Sequence, residues 1–179
     1  MLAAFLGTAA ILSSGYIDML PRVMWPTAHM AFILFIVAFT ASSMQKLMPG
    51  AYSKWAMGNR RYIGLNFALV HFVHAGLVLS NLALTEASRP APVLAVGGGA
   101  YFMLLLMALT SNDTSVKKLG AKNWKKLHKV GSYYLLALFF ATSFRQPEAF
   151  TSFGSSWVAV TVGAALALKF AAARKTKKP

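Results

Sequence analysis

No cysteine occurs in the 179 residues. That excludes a disulfide framework, a thiolate metal site and a Cys-x-x-Cys redox pair, so any redox chemistry must use a bound cofactor. Acidic residues are almost as scarce. Asp18, Glu86, Asp113 and Glu148 stand against 18 lysines and arginines. Asp113 sits in a turn-like Asn112-Asp113-Thr114 phrase and has no second carboxylate with which to form a catalytic pair. The first 21 residues contain no Lys or Arg. The basic head of a cleavable signal peptide is therefore missing, and residues 2–20 read as a retained membrane span.

What the chain has in abundance is apolar length: 57% of it is hydrophobic and only 12% charged. A membrane span needs about 20 mostly apolar residues. Six stretches approach this, near 2–20, 27–45, 62–84, 92–110, 130–145 and 156–173. The first, which carries Asp18, and the fifth, the shortest, are the weakest. Pro21 and Pro26, Pro49-Gly50, Pro90 and Pro92, and Pro147 fall between them as breakers. The expected fold is all-α: a single domain over 1–179, an integral membrane bundle of six transmembrane helices.

The net charge of +14 tests that layout. Nucleic acid is disfavoured as a partner, because the basic residues lie in short clusters between apolar runs. With the N-terminus on one side, that side receives Lys46, Lys54, Arg60, Arg61, the six lysines from 117 to 129, Lys169, Arg174, Lys175, Lys177 and Lys178. The other side receives only Arg22, Arg89 and Arg145, together with Asp18, Glu86 and Glu148. The positive-inside rule then places the basic side, with both termini, in the cytoplasm, so a multi-pass protein of the cell inner membrane is expected. Trp55 and Trp124 fall at the basic side and Trp25 and Trp157 at the other, all four near an interface where an indole N–H stays wet.

Inside the spans the informative residues are histidines. At 100° per residue, Asn66, Asn81, His74 and His71 fall at about 0°, 60°, 80° and 140° around the third helix. A stripe of that kind is expensive against lipid and is expected to face the bundle interior. His71 and His74 lie roughly 15 and 20 Å from the basic side; ligation competes there with a plain interhelical hydrogen bond. His128 and His29 lie nearer the two interfaces, where a headgroup-level role competes. His128 shares an arc of about 100° with Ser132, Thr142 and Ser143. The nine methionines show no fixed spacing to the histidines and read as packing.

Two phrases carry a likeness. The first is Arg60-Arg61-x-x-Gly64-Leu65 followed by His74, with His71 as an extra; the second is Leu109-Thr110-Ser111, a basic loop with Leu119-Gly120, then Trp124-x-x-Leu127-His128. In order, separation and topology they resemble the ferric reductase-like transmembrane domain family, and within it the haem-binding membrane subunits of bacterial periplasmic methionine sulfoxide reductase systems. The likeness spans roughly residues 27–145. It implies haem b, with a flavin or a quinone as further cofactors. It also implies a soluble reductase on the outer side, a quinol or flavoprotein donor, and Arg60 and Arg61 near propionates or a phosphate. His74 and His128 would be the metal ligands, with His71 and His29 as further cofactor contacts.

One departure stands out. The family has another histidine 13 or 14 residues after the one in Leu-His, and this chain has Ala141 and Thr142 there. Three outcomes stay open: His29 replaces the missing ligand, His74 or His71 holds a five-coordinate haem, or no haem is bound. The matching functions are a b-type electron-transfer subunit, a haem-less membrane scaffold, and a small proton-coupled transporter, the last weakened by the shortage of membrane acids.

Overall fold

The computed structural model describes residues 2–85, 87–143 and 156–177. Glu86, Arg145, Pro147, Glu148, Lys178 and the last two residues of the fifth expected span (144–145) lie outside them. The described residues form seven helices and no strand: α1 Leu2–Leu47, α2 Ala51–Gly58, α3 Arg60–Leu84, α4 Ala91–Leu109, α5 Asp113–Leu119, α6 Ala121–Ser143 and α7 Ser156–Lys177. Four stretches are long and apolar enough to cross a membrane: Gly15–Leu47 of α1, all of α3 and α4, and Trp157–Lys175 of α7. The fifth expected span is instead the 23-residue α6, which begins at Ala121. Lys122, Lys125, Lys126 and Lys129 in its first turns keep it out of that apolar group.

The largest difference from the sequence expectation is α1. The first two expected spans form one helix of 46 residues, and Pro21 and Pro26 lie inside it. At 1.5 Å per residue it is about 69 Å long, more than twice the thickness of a hydrocarbon core. The physical reason is local. A proline removes one donor, and segment 21–26 offers no glycine or asparagine to turn the chain back. The Thr27 hydroxyl lies 2.9 Å from the carbonyls of both Val23 and Met24, in the turn that Pro26 weakens. The carbonyls that Pro21 and Pro26 leave without an intrahelical donor are those of Ile17 and Arg22, one turn before each proline. A continuous α1 also carries its first residues to the end of the bundle away from Leu47.

α1 is the central rod. α3 runs antiparallel along it, with Arg60 beside Ala38 and His74 beside Thr27. Phe32, Phe35 and Phe39 of α1 are buried with Phe67, Leu104, Leu135, Leu136 and Val162 from the other long helices. Phe139 of α6 packs on Phe32, Phe35 and Phe67 at ring separations of 5.1, 5.5 and 6.3 Å. The polarity is inverted outside: Leu69, Val73, Leu79, Phe102, Leu109, Val160 and Phe170 are all more than half exposed. Such a belt would drive aggregation in water and is what a bilayer solvates. The protein is a multi-pass membrane protein.

Two glycines set how closely α4 and α6 approach. A Cβ at Gly131 would collide with Sδ of Met107 and come 2.9 Å from Cγ of Met103. At Gly99 it would meet the Tyr134 hydroxyl at 3.0 Å, while that hydroxyl donates to the Val96 carbonyl at 2.7 Å. The helix ends are sorted by charge. Lys175 donates to the Lys46 carbonyl, Lys169 to Ser42, and Arg61 pairs with Asp113. The basic ends of α1, α3, α6 and α7 thus gather with α5 on one face. Trp25 and Trp157 meet at the other through His29.

Candidate functional site

α3 presents two imidazoles to the interior. Tyr62, Asn66, Leu69, Val73, Gly76 and Leu79 form its exposed stripe, and Ile63, Phe67 and Ala68 are buried on the opposite side. His71 and His74 fall on the inner side, as expected. Asn66 does not: it is exposed, with its Nδ2 turned back to the Tyr62 carbonyl at 2.9 Å, so the polar stripe is narrower than periodicity suggested. An amide that bonds its own helix in this way can sit at the lipid boundary.

The two rings are stacked, 5.7 Å apart with planes at 15°. Their environments differ. His71 is walled by aromatic rings, Tyr101 at 4.9 Å, Phe67 at 5.4 Å and Phe139 at 5.4 Å. Its Nδ1 is buried without a hydrogen-bond partner. His74 has an anchor, with its Nδ1 3.1 Å from the Thr27 hydroxyl. When that hydroxyl gives its proton to the Val23 or Met24 carbonyl, Nδ1–H donates to Oγ1, and Nε2 keeps its lone pair. An imidazole fixed through one nitrogen and free at the other is the usual state of a metal-ligating histidine. Sequence reasoning missed Thr27, Tyr101 and Phe139. Their roles depend on how the helices register, which no single-helix pattern contains.

The other expected residues lie elsewhere. His29 is two residues beyond Thr27, turned about 200° around α1. It bonds the Trp25 carbonyl through Nδ1 at 2.8 Å and lies between the Trp25 and Trp157 rings, on the side of α7. His128 is at the basic end, with Nε2 3.3 Å from the Thr110 hydroxyl and its ring on Trp124 at 4.2 Å. Trp124 in turn donates to the Thr110 carbonyl at 2.9 Å. The Leu-Thr-Ser and Trp-x-x-Leu-His phrases thus meet in space, as a clasp between the end of α4 and the start of α6. Arg60 donates Nε to the Ala38 carbonyl at 2.9 Å. Arg61 is paired with Asp113 and holds that exposed carboxyl below its usual range. Arg60 is eleven residues from His71, about 16 Å along α3.

These positions test the implied haem. A site with one histidine from α3 and one from α6 does not fit. α6 turns Phe139 toward His71, while Ala141 and Thr142 are exposed and Thr142 bonds back to the Leu138 carbonyl. Ring separations near 5 Å are those of direct aromatic packing and leave no slot for a macrocycle against His71. Among the described residues no three of His, Asp and Glu come together as a metal-holding group. Ligation by His74 alone fits the donor set, because its Nδ1 is anchored and its other nitrogen is not committed to Thr27.

Fold and site together define a polytopic helical membrane protein with an interior histidine pair on one helix. Parts of the chain are similar to known proteins. The chain is 29% identical over 116 residues to magnetosome protein MamZ of Magnetospirillum gryphiswaldense, covering 60% of this chain and 17% of MamZ. It is 33% identical over 76 residues to the protein-methionine-sulfoxide reductase heme-binding subunit MsrQ of Polaromonas naphthalenivorans, covering 42% of this chain and 33% of MsrQ. The chain thus matches a third or less of each relative's length. No family model and no solved structure matches it.

Proposed function

We propose that this chain is a membrane electron-transfer subunit of the b-type cytochrome kind, with His74 as its protein ligand to haem. The observation that carries this is the Thr27–His74 hydrogen bond, which engages Nδ1 and orients an interior imidazole. The haem-binding relative named above supports the same choice of cofactor. Haem would supply a one-electron carrier within a low-dielectric bundle. In this reading His74 binds, Thr27 orients it, and Phe67, Tyr101 and Phe139 exclude water from the neighbouring His71. The protein sits in the inner membrane with its basic face in the cytoplasm, and α1, α3, α4, α6 and α7 each cross once. A quinol or flavoprotein donates at the basic face and a soluble reductase accepts on the outer side.

The test is an absorption spectrum of detergent-purified protein expressed with ample haem. A reducible Soret band that shifts under carbon monoxide is expected if His74 is the one protein ligand. His74→Ala abolishes the band, while His29→Ala and His128→Ala retain it. A colourless wild type sinks the proposal. That result would favour a second reading, a haem-less scaffold, whose support is the closed aromatic packing of Phe139 and Tyr101 on His71.

A further inference from the structure

The basic face contains a cluster that the electron-transfer reading does not use. Arg60, at the start of α3, fixes its Nε on the Ala38 carbonyl at 2.9 Å. Lys169, on α7, reaches into the bundle from the other side. Its Nζ is 3.4 Å from the Ser42 hydroxyl and 4.6 Å above the Phe39 ring. Ala38, Phe39 and Ser42 lie within about 6 Å along α1, so the two cations are anchored on one stretch of one helix. Arg60 is close enough for its charge to act on both Lys169 and His128.

No carboxylate among the described residues answers them. Asp113 is engaged by Arg61, and Asp18 is at the far end of α1. Lys169 lies half-buried, six residues before Lys175, or about 9 Å inside the basic end of α7. A lysine that only snorkelled would extend toward that end. This one is held inward by Ser42 and Phe39. Lys169 is half-buried and Arg60 exposed; a half-buried ammonium with a second cation anchored on the same stretch of α1 is costly until an anion joins it.

We propose that Arg60 and Lys169 bind the phosphate of an anionic phospholipid headgroup, beside the Ala38–Ser42 stretch of α1 at the basic face. A guanidinium held through Nε still offers its terminal N–H groups to phosphate oxygens, and the ammonium adds a point charge. Basic pockets between membrane helices on the cytoplasmic side are known to take such headgroups. Lipid is favoured over free phosphate by position: Leu166 and Phe170, on either side of Lys169 in sequence, are exposed apolar residues against which acyl chains would lie.

The experiment uses the full chain, purified in detergent and delipidated. Native mass spectrometry counts retained lipid, and thermal unfolding is followed with phosphatidylglycerol, phosphatidylcholine or inorganic phosphate added. Phosphatidylglycerol is expected to be retained and to raise the unfolding temperature, with phosphatidylcholine doing neither. Lys169→Gln weakens retention about fivefold, as loss of one basic contact implies. Arg60→Gln does the same, and Arg60→Lys serves where the glutamine variant fails to fold. Lys118→Gln, on the exposed α5, retains the lipid as wild type does. Equal retention of the two lipids, or wild-type retention by Lys169→Gln, overturns the proposal. A rise reproduced in full by inorganic phosphate overturns the lipid assignment and leaves a soluble phosphate as the occupant.

Discussion

Thr27 and His74 form a polar contact inside an apolar bundle, and its value is measurable without any cofactor. Removing the hydroxyl in Thr27→Val keeps the side-chain volume but leaves the imidazole Nδ1 without its partner. Interhelical hydrogen bonds in membrane proteins contribute about 0.6 kcal/mol on average and up to about 1.7. A cycle of Thr27→Val, His74→Phe and the double variant should give a coupling energy in that range, read from reversible unfolding in mixed micelles. Strict additivity would mean that the hydroxyl serves only the Val23 and Met24 carbonyls. His71 is a different case. Its Nδ1 is orphaned and its surroundings are rings, so the aromatic packing of Tyr101 and Phe139 offsets what the unpaired nitrogen costs.

At the scale of elements, the bundle depends on where helices are allowed to touch. α4 and α6 approach closely at Gly131, where Met103 and Met107 occupy the space a side chain would need. Gly131→Val should therefore destabilise by about 1–3 kcal/mol through overpacking. Gly163 on α7 is the control, since a Cβ there meets nothing within 4 Å. Gly163→Ala should stabilise by about 0.5–1 kcal/mol, by restricting the unfolded backbone. Comparative unfolding of the two variants checks both signs; destabilisation of similar size by each would mean that the glycines act through helix flexibility and not through contact. Element boundaries were legible where composition changed sharply. α3, α4 and α7 lie close to their expected spans because Arg60-Arg61, Pro90-x-Pro92 and the C-terminal lysines flank them. The join of α1 was not legible. Pro21 and Pro26 read as breakers in isolation, and only the packing of α1 against α3 shows a partner along which the helix continues. Asn66 misled for a similar reason: periodicity assigns a face, but an amide satisfied by its own Tyr62 carbonyl has no need of the interior.

For the molecule as a whole, the segregation of charge was the most legible feature, because it depends on counts and not on contacts. The structure realises it through Lys175 on Lys46, Lys169 on Ser42 and Arg61 on Asp113, which draw the basic ends of separate helices together. The clasp of Thr110 with Trp124 and His128 belongs to the same face. It accounts for the second sequence phrase as helix-end architecture, so the phrase identifies the fold more strongly than it identifies ligands. The orientation of that face follows from the rule that lysines and arginines resist translocation, and the chain is suited to testing it. With no native cysteine, a single introduced thiol has no background. Lys118→Cys on the basic face should react with a membrane-impermeant maleimide in inverted vesicles and not in intact spheroplasts. Arg89→Cys, just before α4 at the opposite end, should show the reverse. Labelling of both from the same side would mean that α4 does not cross the bilayer, and the five-crossing arrangement would then fail whatever the cofactor content.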